Sequence, residues 1–258
     1  MKTLQELRAE PHLSVSQLKT FMICPRKYAL QYVEGLKPAF RPVAYALGTA
    51  WHHTIGYALV EHAEGKSNGN GKLHDHLKDG ISRQLNGNGV PVLFDEDEDE
   101  GVLVDRAMRM LDVFVAEVPL PEQVLGVEVP FSLDLSYPES GEHPLPLIGA
   151  MDAIVEGPTI WELKTSKRRW SQHQLDYDLQ PTAYRLGARE CGHEAEVQLI
   201  VTTKAKSPQV QSEPVTRGLS DEADLIHIVI SVSRAVKAGV DHPVRGWQCQ
   251  GCPYSTVC

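Results

Sequence analysis

The sequence predicts an α/β (α+β) fold in which a mixed central sheet is flanked by helices and preceded by a helical N-terminal region. Three observations support this class. Helical periodicity dominates the first 64 residues, short β-rich runs follow residue 124, and helical and strand patterns then alternate up to residue 238. This order favours one shared core, so we expect 1–258 to form a single domain.

Two helices are predicted in the N-terminal helical part, residues 14–64. The motif SVSQ, which begins at Ser14, fits a capping box, and the helix that it starts should run through Cys24 toward Val33. A second helical pattern follows Gly48. One face of this helix carries residues spaced by three and four positions, namely His52, Ile55, Leu59 and His62.

Residues 65–101 are polar and rich in glycine and carboxylates, so we expect a mobile insertion here. The runs SNGNG at 67–71 and NGNG at 86–89 indicate turns, and six consecutive acidic residues occupy 95–100. One short helix should lie between these runs, near 72–85.

The sheet core is predicted at 124–217. Three consecutive strand patterns begin it, with the sequences VLGVEVPFSL, PLIGAMDAIV and TIWELKT. The other predicted elements are helices at 102–118, 171–190 and 219–238, a buried strand at 195–203 and an edge strand at 208–216. A cysteine-rich tail at 241–258 ends the chain.

Composition and charge exclude several classes of protein. The chain is 42% hydrophobic and 23% charged, which is typical of a globular protein rather than a disordered or collagenous one. Its 34 acidic residues outnumber 25 basic residues, which argues against a protein that coats DNA non-specifically. Without the six acidic residues at 95–100, 28 acidic residues remain against 25 basic ones. No secretory or membrane-spanning apolar run is present, so we expect a cytoplasmic protein without a membrane partner.

Two carboxylates and a lysine form the most informative pattern. If the strands that carry Asp152 and Glu162 pair across the turn at 156–158, the two acids can lie opposite each other at one end of the sheet. Lys164, two residues after Glu162, then points to the same face. Hydrolysis of a phosphodiester requires Mg²⁺ or Mn²⁺, which prefer such oxygen ligands. The alternative is a Glu–Lys pair on a solvated face with an unrelated aspartate.

The cysteines suggest a metal site. Three of the five lie in the last ten residues with the spacing Cys249-x2-Cys252-x5-Cys258, and Cys24 precedes them by more than 220 residues. In a reducing compartment this clustering favours metal ligation over disulfides. Zinc and a [4Fe-4S] cluster both accept four thiolates, so the ligand set alone leaves both open. Cys191 is expected to be a free thiol.

Several motifs together resemble the RecB-like branch of the PD-(D/E)XK nucleases, which includes the AddB nuclease domain and the CRISPR-associated iron-sulfur exonucleases. They are GTAWH at 48–52, GAMD ending at Asp152, ELKT starting at Glu162, and the helical pair Gln180 and Tyr184. The resemblance implies a restriction-endonuclease-like core.

The resemblance also implies roles for individual residues. Metal ligands would be His52, Asp152, Glu162 and the backbone carbonyl of Leu163, with Lys164 assisting catalysis. Gln180 and Tyr184 would lie beside the active site and touch the nucleic acid or Lys164. His53 is an alternative to His52, but His52 shares the face of Ile55 and Leu59 and is favoured. Pro181 departs from the family pattern, so the helix should start or bend there.

The cysteine spacing matches the iron-sulfur staple of these exonucleases. The resemblance therefore implies that Cys24, Cys249, Cys252 and Cys258 hold a [4Fe-4S] cluster with a structural role. Such a cluster would tie the first helix to the C-terminal tail.

A basic segment follows the third strand of the core. Lys167, Arg168 and Arg169 could follow phosphates while Trp170 stacks on a base, and neither contact requires a particular sequence. A second wall could come from Lys19, Arg26 and Lys27. The alternative is ordinary solvated charge.

Together, these features predict a metal-dependent exonuclease that acts on single-stranded DNA or DNA ends, in recombination, repair or CRISPR-type processing. No G-x-x-x-x-G-K-[ST] motif is present, so any unwinding would come from a helicase or another recombination or CRISPR partner. Two alternatives remain from other classes: a non-catalytic DNA-end-binding or adaptation subunit, and a zinc-stapled nucleic-acid-binding protein.

Overall fold

A computed structural model describes residues 2–66, 69–87, 89–135 and 143–258 of the chain. The helices are α1 (Leu4–Arg8), α2 (Val15–Ile23), α3 (Pro25–Tyr28), α4 (Val43–Ala63), α5 (Asn70–Asn86), α6 (Glu100–Glu117), α7 (Gln172–Tyr177), α8 (Leu179–Glu190) and α9 (Leu219–Lys237). The strands are β1 (Arg41–Pro42), β2 (Val92–Leu93), β3 (Val124–Leu133), β4 (Leu147–Val155), β5 (Thr159–Ser166), β6 (Glu196–Thr203) and β7 (Val210–Val215). A π-helical turn covers Ala29–Val33, and a 3₁₀ turn covers Trp247–Cys249.

The core is a mixed sheet with the strand order β3-β4-β5-β6-β7. Neighbouring strands are antiparallel except for β5 and β6, which are parallel. A parallel pair requires a crossover connection, and α7 and α8 supply it. The predicted mixed α/β fold, its three consecutive strands and its edge strand are therefore confirmed.

Helices cover both faces of the sheet. One apolar core joins α2, α8 and α9 to the sheet, and the second joins α4, α5 and α6 to it. Because β6 lies between these layers, its sequence VQLIV is almost continuously buried and does not alternate between apolar and polar residues. The two parallel strands β5 and β6 consequently expose side chains only near their ends.

The first predicted helix is interrupted. The Ser14 hydroxyl accepts a hydrogen bond from the Gln17 amide at 3.2 Å, as the capping motif predicts. The continuation through Cys24 to Val33 is wrong, because Cys24 has an extended backbone (φ −162°, ψ 106°) and ends α2. Pro25 explains the break, since a residue that precedes proline is disfavoured in the helical conformation.

Two other helix boundaries also differ from the sequence expectation. α4 begins at Val43 and includes Gly48, so the helix does not start after that glycine. The predicted helix at 171–190 is divided at Asp178, whose carboxylate accepts a hydrogen bond from the Gln180 amide at 2.8 Å. Pro181 therefore lies in the first turn of α8, where proline is tolerated, and the expected start near it is confirmed.

The segment 65–101 contains more regular structure than turns alone. The helix predicted near 72–85 is confirmed as α5, and β2 pairs with β1 in a two-stranded parallel sheet. Parts of the two glycine-rich runs, at 67–68 and 88, lie outside the described residues. None of the helices in the described ranges is both long and apolar enough to cross a bilayer.

Two glycines allow the Phe131 ring to lie between β4 and α8. A Cβ atom at Gly187 would lie 2.5 Å from the Phe131 ring, and one at Gly149 would lie 2.6 Å from it. Because both contacts are far below van der Waals separation, the ring fills the space that the two missing side chains leave.

Gly187→Ala should therefore destabilise the fold by about 1–3 kcal/mol, as overpacked core substitutions do. Urea unfolding measures this free energy. Gly71→Ala is the control, because nothing lies within 4 Å of a Cβ there, and it should be neutral or stabilise α5 by up to about 1 kcal/mol. Equal unfolding midpoints for the two variants would contradict the packing argument.

Candidate active site

Asp152 and Glu162 come together where β4 and β5 separate. The ladder between these strands extends to the pair Ala153 and Trp161, and the two acids are the next residues on each strand. Asp152 Oδ2 accepts a hydrogen bond from the Leu163 amide at 2.8 Å. At the end of the ladder, the Asp152 carboxylate thus accepts the hydrogen bond from the Leu163 amide in place of a main-chain carbonyl.

His52 reaches the same point from α4. Its Nδ1 atom lies 3.1 Å from Asp152 Oδ1. Burial would lower the pKa of His52, but the hydrogen bond and charge of Asp152 outweigh it and raise the pKa. The neighbouring His53 points elsewhere: its side chain is 54% exposed and lies 3.8 Å from Glu128 Oε1. Of the two histidines, the structure therefore places His52 against the carboxylates.

Glu162 is the least solvated acid of the site. Its side chain is 0% exposed. Lys164 Nζ is paired with Glu162 Oε1 and also donates a hydrogen bond to Gln180. Burial raises the pKa of Glu162 to about 7, and the Lys164 charge opposes that rise.

A hydrogen-bonded chain leads from Lys164 into the core. Lys164 Nζ donates to Gln180 Oε1 at 2.9 Å, and Gln180 Nε2 donates to the Tyr184 hydroxyl at 2.8 Å. Tyr184 is buried with its ring edge-on to Phe131. Burial would lower the pKa of Lys164, but the charge and hydrogen bond of Glu162, together with the charges of Asp152 and Asp178, raise the pKa overall, so the lysine carries a positive charge at neutral pH.

The comparisons with known proteins agree with this geometry. The sequence model of the PD-(D/E)XK nuclease superfamily matches residues 12–258. The chain belongs to the PD-(D/E)XK nuclease superfamily. The predicted restriction-endonuclease-like core is therefore confirmed. Hydrolysis of nucleic acid is the chemistry expected of a member of this superfamily.

Solved structures add evidence on the fold. The chain aligns with an Eubacterium rectale protein described as "Putative exonuclease" at a TM-score of 0.62 and 17% identity, over 100% of this chain and 95% of that one. At this identity the likeness shows a shared fold. The structure of SSO0001 aligns at a TM-score of 0.41 and 14% identity over 94% of both chains, which is too distant to carry an argument. The comparison with curated proteins finds no match.

Glu128 has an unusual backbone conformation on the strand next to Asp152. Its φ is 49°, in the left-handed region that non-glycine residues rarely occupy. The β3–β4 register pairs Val127 with Ala153 and Val129 with Met151, so Glu128 lies between these two pairs. Its carboxylate lies 3.8 Å from His53, which points away from the site acids. The sequence pattern gave no sign of this conformation, because the run VEV alternates as an ordinary strand does.

The basic segment after β5 is only partly available for phosphate contacts. Lys167 Nζ lies 3.0 Å from Asp95 Oδ2, and Arg169 lies 3.7 Å from Glu213. Arg168 is exposed. The Trp170 ring packs against the core, and its backbone amide donates to Gln211. The second wall was expected to consist of Lys19, Arg26 and Lys27. Lys19 and Arg26 both form ion pairs with carboxylates.

Four cysteines line one cavity of about 260 Å³, namely Cys24, Cys249, Cys252 and Cys258. The Val244 amide donates to Cys24 Sγ at 3.5 Å, and Cys249 Sγ donates to the Val244 carbonyl at 3.7 Å. Within the described ranges all cysteines are free thiols, and no three His, Cys, Asp or Glu side chains are grouped as closely as a bound metal requires. Cys191 lies apart, near the Pro130 carbonyl.

Asp178 positions Gln180, because it caps α8 and also pairs with Lys19 Nζ at 2.6 Å. Asp178→Ala should lower the free energy of unfolding by about 1 kcal/mol through loss of the cap. Urea unfolding checks this value. The control is Asp176→Ala, because the Asp176 carboxylate accepts a hydrogen bond only from the exposed Gln172 side chain among the described residues, and its loss should change stability little. Identical stabilities would refute the capping role.

Proposed function

We propose that this PD-(D/E)XK protein is a Mg²⁺- or Mn²⁺-dependent deoxyribonuclease that degrades single-stranded DNA or DNA ends. Glu162 carries the proposal: its carboxylate is fully buried beside a second acid, Asp152, and Lys164 is its ion-pair partner. Two neighbouring carboxylates with one lysine between them are costly to bury unless a further cation compensates them. Lys164 supplies one positive charge, and the remaining lone pairs suit a metal ion.

The donor set fits a hard divalent cation. Asp152 and Glu162 provide carboxylate oxygens, His52 provides an imidazole nitrogen, and the Leu163 carbonyl is the fourth proposed ligand. A bound ion would activate water and neutralise charge on the phosphate oxygens. The resemblance to RecB-like exonucleases supports the same four residues.

The protein's own groups prepare the site for an anion. Lys164 holds a positive charge beside Glu162, where it can stabilise negative charge that develops on phosphorus. Gln180 orients the ammonium group, and Tyr184 in turn fixes the Gln180 amide. Gln180 and Tyr184 therefore act as positioning residues for Lys164.

A nuclease assay tests the function on single- and double-stranded DNA labelled at either end, with the metal varied. Asp152→Asn and Lys164→Ala should each reduce Mg²⁺- or Mn²⁺-dependent degradation by about a hundred-fold or more, because each removes a preorganised charge. His52→Ala should also lose activity.

His53→Ala is the matched control, since His53 is adjacent in sequence but points away from the carboxylates. It should retain near wild-type activity. Undiminished degradation by Asp152→Asn would exclude the proposed site. Release of nucleotides from one labelled end distinguishes an exonuclease from an endonuclease.

We also propose that Cys24, Cys249, Cys252 and Cys258 hold a [4Fe-4S] cluster with a structural role. The support is that all four thiols line one cavity, together with the spacing shared with iron-sulfur exonucleases. A four-thiolate set suits this cluster. The cluster would join Cys24, just before α3, to the C-terminal tail. These two segments lie at opposite ends of the sequence.

Anaerobically purified protein should contain about four iron atoms per chain and absorb near ~400 nm, as expected for this cluster. Cys258→Ala should lose most of the iron. Cys191→Ala should keep it, because Cys191 lies outside the cavity. Stoichiometric zinc in place of iron would overturn the assignment.

A further inference from the structure

The parallel strands β5 and β6 each continue into a lysine. Ser166 and Thr203 are paired at the carboxyl ends of these strands, and Lys167 and Lys204 are the next residues. The Lys204 amide donates to the Ser166 carbonyl at 2.7 Å, which holds the two segments side by side. In α/β sheets, ligands bind in the crevice outside the carboxyl ends of parallel strands.

The Lys204 side chain lies among charges of both signs. Burial, followed by the charge of Arg106, lowers the pKa of Lys204 overall. Among the described residues its ammonium group forms no direct ion pair and no hydrogen bond, although the charges of Asp95 and Glu98 act on it and by themselves would raise its pKa. Lys204, Lys167 and Arg106 line the same cavity of about 330 Å³. A partly desolvated cation without a direct ion pair would gain from binding an anion there.

An acidic turn at residues 95–98 lies in the same cavity. Glu98 anchors it, because its side chain is only 3% exposed and is paired with Arg106. Asp95 is held more weakly: it lies 3.0 Å from Lys167 Nζ, and the two side chains are 49% and 72% exposed. Exposed pairs of this kind contribute little to stability, so a competing anion can replace the Asp95 carboxylate.

We propose that Lys167 and Lys204 form a binding site for backbone phosphates of a nucleic-acid strand, and that Asp95 occupies this site as a competing carboxylate. The inference rests on the proposed nuclease function and extends it, because it gives the acidic turn a role in lowering affinity for the substrate. Lys164 lies three residues before Lys167 on the same chain segment, or about 10 Å away. A nucleic-acid strand that passes the carboxyl ends of β5 and β6 is long enough to span this distance.

Fluorescence anisotropy with a labelled single-stranded oligonucleotide tests the proposal, in EDTA so that no strand is cut. Asp95→Asn should tighten binding about two- to five-fold, since it removes one exposed ion pair with Lys167. Lys204→Gln should weaken binding and reduce the slope of log affinity against log salt by about 0.7, the value for one phosphate contact on a single strand. In a Lys167→Gln background, Asp95→Asn should have a smaller effect, because Asp95 then competes only at Lys204.

Two exposed residues away from the crevice provide charge-matched controls. Asp224 lies on α9, across the sheet, and Lys78 lies on α5. The variants Asp224→Asn and Lys78→Gln should both leave the slope of log affinity against log salt unchanged. Suppose that the wild-type protein binds DNA, that Asp95→Asn has the same affinity as Asp224→Asn, and that Lys204→Gln keeps the wild-type slope of log affinity against log salt. The inference is then wrong, while the proposed nuclease function is unaffected. If the wild-type protein binds no oligonucleotide even at low salt, the inference is wrong, and the metal-dependent nuclease assay decides the proposed function separately.

Discussion

A carboxylate at the centre of the sheet governs the arrangement of the site. Glu162 lies on β5, the middle strand of five, and its side chain has no contact with water. Removing such a group from water costs several kcal/mol, and a nearby cation has to offset that cost. Lys164 offsets part of it by pairing with Glu162, but Asp152 places a second negative charge beside the same carboxylate. The protein therefore maintains an electrostatically incomplete site that a divalent cation would complete.

The end of the β4–β5 ladder makes this site accessible from two directions. His52 comes from α4, which packs with the core on one face of the sheet, and Gln180 comes from α8, which packs on the other. His52 contacts Asp152 and Gln180 contacts Lys164, beside the point where the strands separate beyond Ala153 and Trp161. The left-handed backbone at Glu128 lies beside the same opening. Local irregularity of the sheet thus allows groups from both layers to meet.

Sequence patterns predicted the parts of this structure that depend on local periodicity. The strands and the adjacency of Asp152 and Glu162 followed from alternation and a short turn. The breaks at Cys24 and Asp178 each lie close to a proline, and the helix break at Cys24 was missed because apolar periodicity continues across it. The ion pair between Lys167 and Asp95 joins residues distant in sequence, so no local pattern indicates it. Trp170 was expected to be a stacking surface, but its ring packs against the core.

The overall negative charge is compatible with a nucleic-acid substrate because the acids are not spread evenly. The run at 95–100 begins beside Lys167, and Asp152 and Glu162 are the proposed metal ligands. The central claim is that Glu162 binds a divalent cation, and calorimetric titration of Mn²⁺ into the wild-type protein and Glu162→Gln tests it most directly. The account predicts saturable binding by the wild-type protein and an affinity lower by at least about ten-fold in the variant, the loss typical even of residues that only support a metal ligand. Equal Mn²⁺ affinity in the two proteins would contradict it.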